Sequence, residues 1–106
     1  MTKKEIRIKL KNEVLKRDKN KCRKCDKSNV ILDAHHITDR KEMPNGGYVK
    51  ENLISLCTTC HLRAENFHAS KGFFCMSGYH PDDLYKLINS SYKLAYKKSE
   101  ELCLKN

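Results

Sequence analysis

Asn52-Leu53-Ile54-Ser55-Leu56-Cys57-Thr58-Thr59-Cys60-His61 is the stretch whose reading decides the fold. Its first half reads as a short apolar strand. Cys57-x-x-Cys60 then closes the strand with a knuckle of metal-ligand spacing. A helix is predicted to start near Thr59 and to carry His61, Arg63 and Glu65. His61 and Glu65 lie four residues apart and so share one face of that helix. Upstream, Val30-Ile31-Leu32 begins another short strand that runs on through Asp33-Ala34-His35-His36 to Ile37. Between the strands, Met43-Pro44-Asn45-Gly46-Gly47 marks a loop over residues 38–51.

Working outward, a matching knuckle, Cys22-x-x-Cys25, precedes the first strand. Cys22, Cys25, Cys57 and Cys60 supply the four thiolates that a structural zinc ion takes in a tetrahedron. A disulfide scaffold would need an oxidising compartment, and the Met-Thr-Lys-Lys-Glu-Ile-Arg start has no apolar block behind its charges to suggest export. The expected compartment is therefore a reducing cytosol. Cys75 and Cys103 have no partner at metal spacing and are expected to be small buried apolar residues.

Adjacent strand residues point to opposite faces, so His35 and His36 cannot share one role. The His61/Glu65 face can hold a divalent metal by one imidazole and one carboxylate, and His35 can complete the set from the strand. His36 then stands free as a base, a task suited to an imidazole whose unperturbed pKa is roughly 6.5.

His35-His36-Ile37 followed by Asn52-Leu53-Ile54-Ser55-Leu56-Cys57-Thr58-Thr59-Cys60-His61 resembles the HNH endonuclease motif, in the branch stapled by two zinc knuckles. The Lys16-Arg17-Asp18 run ahead of the first knuckle is typical of that branch, and the resemblance covers about residues 14–66. It implies a small α+β, zinc-stapled ββα-metal (His-Me finger) domain. Carried over by position, His35 takes a metal-ligand slot that many relatives fill with Asp. His36 is the general base, and His61 is a metal ligand. Asn52 either ligates metal or braces the loop and orients the base. Glu65 falls where some toxin nucleases of the family have a further His. The implied activity is metal-dependent hydrolysis of DNA phosphodiesters. The base activates water, and one divalent ion (Mg²⁺, Mn²⁺, Ni²⁺ or Zn²⁺) stabilises the phosphate and the 3′-oxygen leaving group. Arg40, Lys41 or Arg63 would hold the scissile phosphate. The alternative is a zinc-binding module without enzymatic activity that docks DNA or a protein. Small nucleases of this kind are associated with phages and mobile elements, which would make the compartment a host cytoplasm.

The 106 residues fit one domain, and no run of apolar residues is long enough to span a membrane. The net charge of +9 is one-sided: residues 1–27 hold twelve Lys/Arg against four Asp/Glu. That balance points to a polyanion, and double-stranded DNA is the expected partner, bound by a monomer or a dimer. A basic helix is predicted over residues 3–18, with Ile6, Leu10 and Val14 on its apolar stripe. Lys4, Arg7, Lys11 and Arg17 fall off the stripe, toward solvent or ligand. Phe67, Phe73 and Phe74 are expected to anchor the core. A last helix is predicted from Pro81, with Asp82 and Asp83 at its positive end, to about Leu102. His68 and His80 carry no motif spacing and receive no role.

Overall fold

The computed structural model describes residues 2–102, which leaves Cys103 outside the described residues. Helix α1 spans Lys3–Arg17, strand β1 Leu32–His36, strand β2 Leu53–Cys57 and helix α2 Thr58–Ala69. Helices α3, Pro81–Leu87, and α4, Tyr92–Glu100, complete the order. Thr2 and Glu5 open α1 as a reciprocal cap: the Glu5 N–H donates to Thr2 Oγ1 at 3.2 Å, and the Thr2 N–H donates to Glu5 Oε1 at 3.2 Å. The predicted stripe holds, with Leu10 and Val14 buried and Ile6 packed beside them.

β1 and β2 pair antiparallel, with His35 opposite Ile54 and His36 opposite Leu53. Every residue of β2 is buried, because the strand is covered on both faces. Leu53 joins Leu10, Val14 and Tyr48 against α1. Ile54 and Leu56 join Ile37, Leu84, Tyr85 and Ala95 on the side of the C-terminal helices. The connection between the strands coils through short 3-10 turns at Arg40–Glu42, Pro44–Gly47 and Lys50–Asn52. Gly47 has φ +66°, and a Cβ there would meet Asn52 Nδ2 at 2.6 Å, so only glycine fits this corner.

Several expectations need correction. β1 starts at Leu32, while Val30 and Ile31 are exposed, Ile31 by 77%. Their apolar character reflects a surface position beside the first knuckle, not a strand. β2 starts one residue later than predicted, at Leu53. The single C-terminal helix is broken in two. Asn89 adopts the left-handed φ of 54°, and the Ser91 hydroxyl accepts from the Leu94 N–H at 3.1 Å, starting α4 afresh. Phe73 and Phe74 are exposed, by 96% and 54%, and only Phe67 is partly buried. Cys75 is exposed as well. No helix among the described residues is long and apolar enough to cross a membrane.

Candidate metal centre and cleft

The second strand delivers Cys57 and Cys60 to the two cysteines of the first knuckle. The Sγ atoms of Cys22, Cys25, Cys57 and Cys60 all lie within 4.8 Å of one another. Cys25 and Cys57 approach to 3.7 Å. A tetrahedron with Zn–S bonds of about 2.3 Å has S···S edges of about 3.8 Å, so the cluster has the size such an ion needs. Burial pushes the Cys22 thiol up, but the backbone N–H groups of Cys25, Cys57 and Lys24 outweigh it and bring it down to about 7. Burial drives Cys60 up to about 12. The Tyr79 hydroxyl donates to Cys60 Sγ at 3.3 Å, with the Lys24 ammonium 5.0 Å above its ring and Arg63 donating to its oxygen.

On the other side of α2, His35, His61 and Glu65 present one donor atom each within 4.8 Å of one another. Glu65 Oε1 sits between two imidazole nitrogens, 3.1 Å from His35 Nδ1 and 3.2 Å from His61 Nε2. The bond from His35 holds the Glu65 carboxyl down to about 2, so it is ionised. Burial takes His35, only 1% exposed, below the usual histidine range despite that carboxylate. Two imidazoles around one carboxylate make a donor set that fits a divalent cation and leaves a side open to the cleft. Asp33 Oδ2 lies 3.4 Å from His61 Nδ1, the nitrogen facing away from Glu65. Strand alternation brings Asp33 to the same side as His35.

His36 turns the other way, as the alternation requires. Its ring packs edge-on against Tyr48, 5.3 Å between centroids, and its buried Nε2 has no hydrogen-bond partner. Burial, aided by the nearby Arg40 charge, pushes it down to about 4. A cleft of about 430 Å³ is lined by His36, Arg40, Lys41, His61, Glu65 and His68 among others. The side chains assigned to base, metal and phosphate thus meet in one place.

The remaining candidates divide. Asn52 belongs to the bracing alternative. Its Oδ1 accepts from the Thr38 N–H at 3.0 Å and from the Tyr85 hydroxyl at 2.7 Å, and its Nδ2 donates to Thr38 O and Gly47 O. It ties the start of β2 to the loop after β1 and has no oxygen left for a metal. Arg17 is engaged within the fold, donating to Asp18, Lys50 O and Leu53 O. Arg63 faces Tyr79 on the cysteine side of α2, away from the cleft. Arg7 lies over the Tyr48 ring at 6.0 Å, Lys11 is 3.8 Å from Asp33, and Lys4 is exposed.

The motif reading passed over His68, Tyr48 and Tyr85. His68 stacks on His35 at 5.2 Å, and its Nε2–H donates to His36 O at 2.9 Å. It follows His61 by seven residues and so returns to the same helix face, a signal present in the spacing. Tyr48 receives a bond from Arg40, and Tyr85 reaches Asn52 from α3. Neither tyrosine carries a local signature.

The sheet and α2 form a ββα unit with a His/Glu cluster on one side of α2 and a tetracysteine cluster on the other, two sets of donor atoms that could each hold a metal ion. Residues 22–67 match the family model described as HNH endonuclease. The match begins at the first knuckle cysteine and ends within α2. No curated protein and no solved structure matches the chain significantly.

Proposed function

We propose that this protein is a metal-dependent DNA endonuclease. The observation that carries the reading is the convergence of the His35, His61 and Glu65 donor atoms beside a cleft that His61, Glu65 and His36 line. A divalent ion bound there supplies charge neutralisation at the phosphate and the 3′ leaving oxygen. His36 takes the proton from the attacking water. Its ring is held neutral by burial and by Arg40, the state a base must start in. Arg40, fixed by the Tyr48 hydroxyl, and Lys41 bind the scissile phosphate. His68 and Asn52 hold the strand and loop on which these groups stand. Zinc in the tetracysteine cluster is structural, since four thiolates leave no open position. Lys4, Arg7 and Lys11 recur along one face of α1, and Arg7 and Lys11 approach Tyr48 and Asp33, which back the cleft residues His36 and His61, so this face continues the DNA path.

Supercoiled plasmid incubated with the protein and Mg²⁺, Mn²⁺, Ni²⁺ or Zn²⁺ tests the reading on one gel. Nicked or linear product that EDTA suppresses and fresh metal restores is expected. His36→Ala should bind DNA and metal as the wild type does while cutting at less than a few per cent of its rate. Plasmid left intact with every ion would leave the non-enzymatic zinc module as the reading.

A further inference from the structure

The turn that ends α2 displays two adjacent phenylalanines to solvent, Phe73 by 96% and Phe74 by 54%. An isolated exposed apolar residue needs no explanation, but a paired and rigidly held one does. Hydrogen bonds pin the turn. The Gly72 N–H donates to Phe67 O at 2.8 Å and the Phe73 N–H to Ser70 O at 3.2 Å. The Ser70 hydroxyl donates to Phe74 O at 3.1 Å, and the Phe74 N–H donates back to Ser70 Oγ at 2.9 Å. Lys71 and Gly72 both take left-handed backbone, φ 55° and 86°, which reverses the chain sharply. The aromatic pair is thus presented on a fixed backbone support, so little backbone freedom remains to be lost on contact.

Its position is equally specific. α2 carries His61, Glu65 and His68 along one face and ends in this turn. A second hollow, about 420 Å³, is lined by Phe67, His68, Lys41, Lys71 and Gly72. It shares Asp39, Lys41 and His68 with the cleft, so the surface runs without a break from the metal donors to the turn. Lys41 and Lys71 line it together with Asp39 and Glu42, and Lys71 adjoins the aromatic pair in the chain. A phosphate chain leaving the cleft past Lys41 reaches Lys71 and the aromatic pair that follows it, and a cation beside an exposed aromatic ring is the pairing with which proteins hold unstacked nucleobases.

We propose that the Lys71-Gly72-Phe73-Phe74 turn is a nucleobase-docking wedge. Phe73 stacks on a base of the DNA held in the cleft, and Lys71 holds the adjoining phosphate. The proposal rests on the DNA-nuclease reading of the cleft and adds where the substrate is gripped and distorted. Phe73 is almost wholly exposed, so replacing it leaves the fold intact.

The test uses the full chain and a short duplex with 2-aminopurine placed in turn along one strand. Binding is read by anisotropy, base unstacking by 2-aminopurine fluorescence, and plasmid cleavage is followed in parallel. Fluorescence should rise at one position on binding of the otherwise intact protein. Phe73→Ala should abolish the rise and weaken affinity about tenfold, and Phe73→Trp should restore both. The Phe73→Ala loss should appear in KM more than in kcat. A wild type that cuts plasmid, alongside a Phe73→Ala protein with unchanged affinity and unchanged 2-aminopurine signal, overturns the wedge and leaves the nuclease reading standing. Weakened binding without any 2-aminopurine change in the wild type also overturns it. A wild type that neither binds nor cuts DNA removes the cleft reading and the wedge together.

Discussion

Asp33 and Tyr79 act at the scale of single residues, each one step behind a candidate metal ligand. Asp33 contacts the His61 nitrogen opposite Glu65. A carboxylate in that place fixes the tautomer and raises the basicity of the ring. Asp33→Ala should therefore weaken Mn²⁺ binding by about 10–100-fold while the circular dichroism spectrum stays that of the wild type. Mn²⁺ titration followed by calorimetry checks it, and an unchanged affinity would show that Asp33 serves only Lys11, 3.8 Å away. On the cysteine side, the Tyr79 hydroxyl donates to Cys60 Sγ and is flanked by Lys24 and Arg63. With zinc bound, these groups would offset the negative charge that four thiolates leave around a dication. Tyr79→Phe keeps the ring and the Lys24 contact but removes the donor. Zinc should then pass to a colorimetric chelator faster than from the wild type, while the protein remains folded.

At the scale of elements, the join between α1 and β2 depends on Asp18. Its buried carboxylate accepts two bonds from Arg17 and one from the Ser55 N–H. Burial pushes this carboxyl up, but Arg17 and Ser55 outweigh it and hold it below the usual carboxylate range. A depressed pKa contributes stability above the unfolded value, about 3.9, and that contribution fades as pH falls through the folded value. Asp18→Asn should cost about 3 kcal/mol in urea unfolding at neutral pH, and its stability should fall less steeply than the wild type's below about pH 4. The sequence marked Asp18 only as part of a familiar run, because its partner lies thirty-seven residues away in β2. Both knuckles, the β2-to-α2 junction and the His61/Glu65 face were legible because they depend on short spacings. The break between α3 and α4 was also written locally, as Asn89-Ser90-Ser91, a left-handed residue and a cap. The apolar stripe from Leu84 to Ala95 concealed it. Exposure of Phe73 and Phe74 was not legible, since composition cannot tell an anchor from a presented ring. The division of labour between Asn52 and the ligands needed Tyr85, which reaches the loop from outside the motif.

Over the whole molecule, the excess charge resolves into two kinds of arginine and lysine. Eight of the nine net positive charges belong to residues 1–27, yet the structure does not present them equally. Arg17 is consumed by Asp18 and two backbone carbonyls. Lys4, Arg7 and Lys11 remain on an accessible face of α1 that reaches Tyr48 and Asp33 beside the cleft. Removing residues 1–11 outright would not separate these roles, because it deletes Leu10 from the core beneath β2. Charge substitutions do. Each contact between a cationic side chain and a phosphate contributes about 0.9 to the slope of log K against log salt. In a His36→Ala background, replacing Lys4, Arg7 and Lys11 by Gln should flatten that slope by about 0.9 for each residue that meets a phosphate and leave the melting temperature near the parent value. Arg17→Gln should do the reverse. It strips donors from Lys50 O and Leu53 O and leaves Asp18 with only the more distant Arg23 and the Ser55 N–H, so stability should fall by about 2–3 kcal/mol with the slope unchanged. Anisotropy of a labelled duplex across a salt series, paired with urea unfolding of the same proteins, gives both numbers. A slope that stays constant in the triple variant would move the DNA path off α1 and leave Arg40, Lys41 and Lys71 to carry the phosphate contacts.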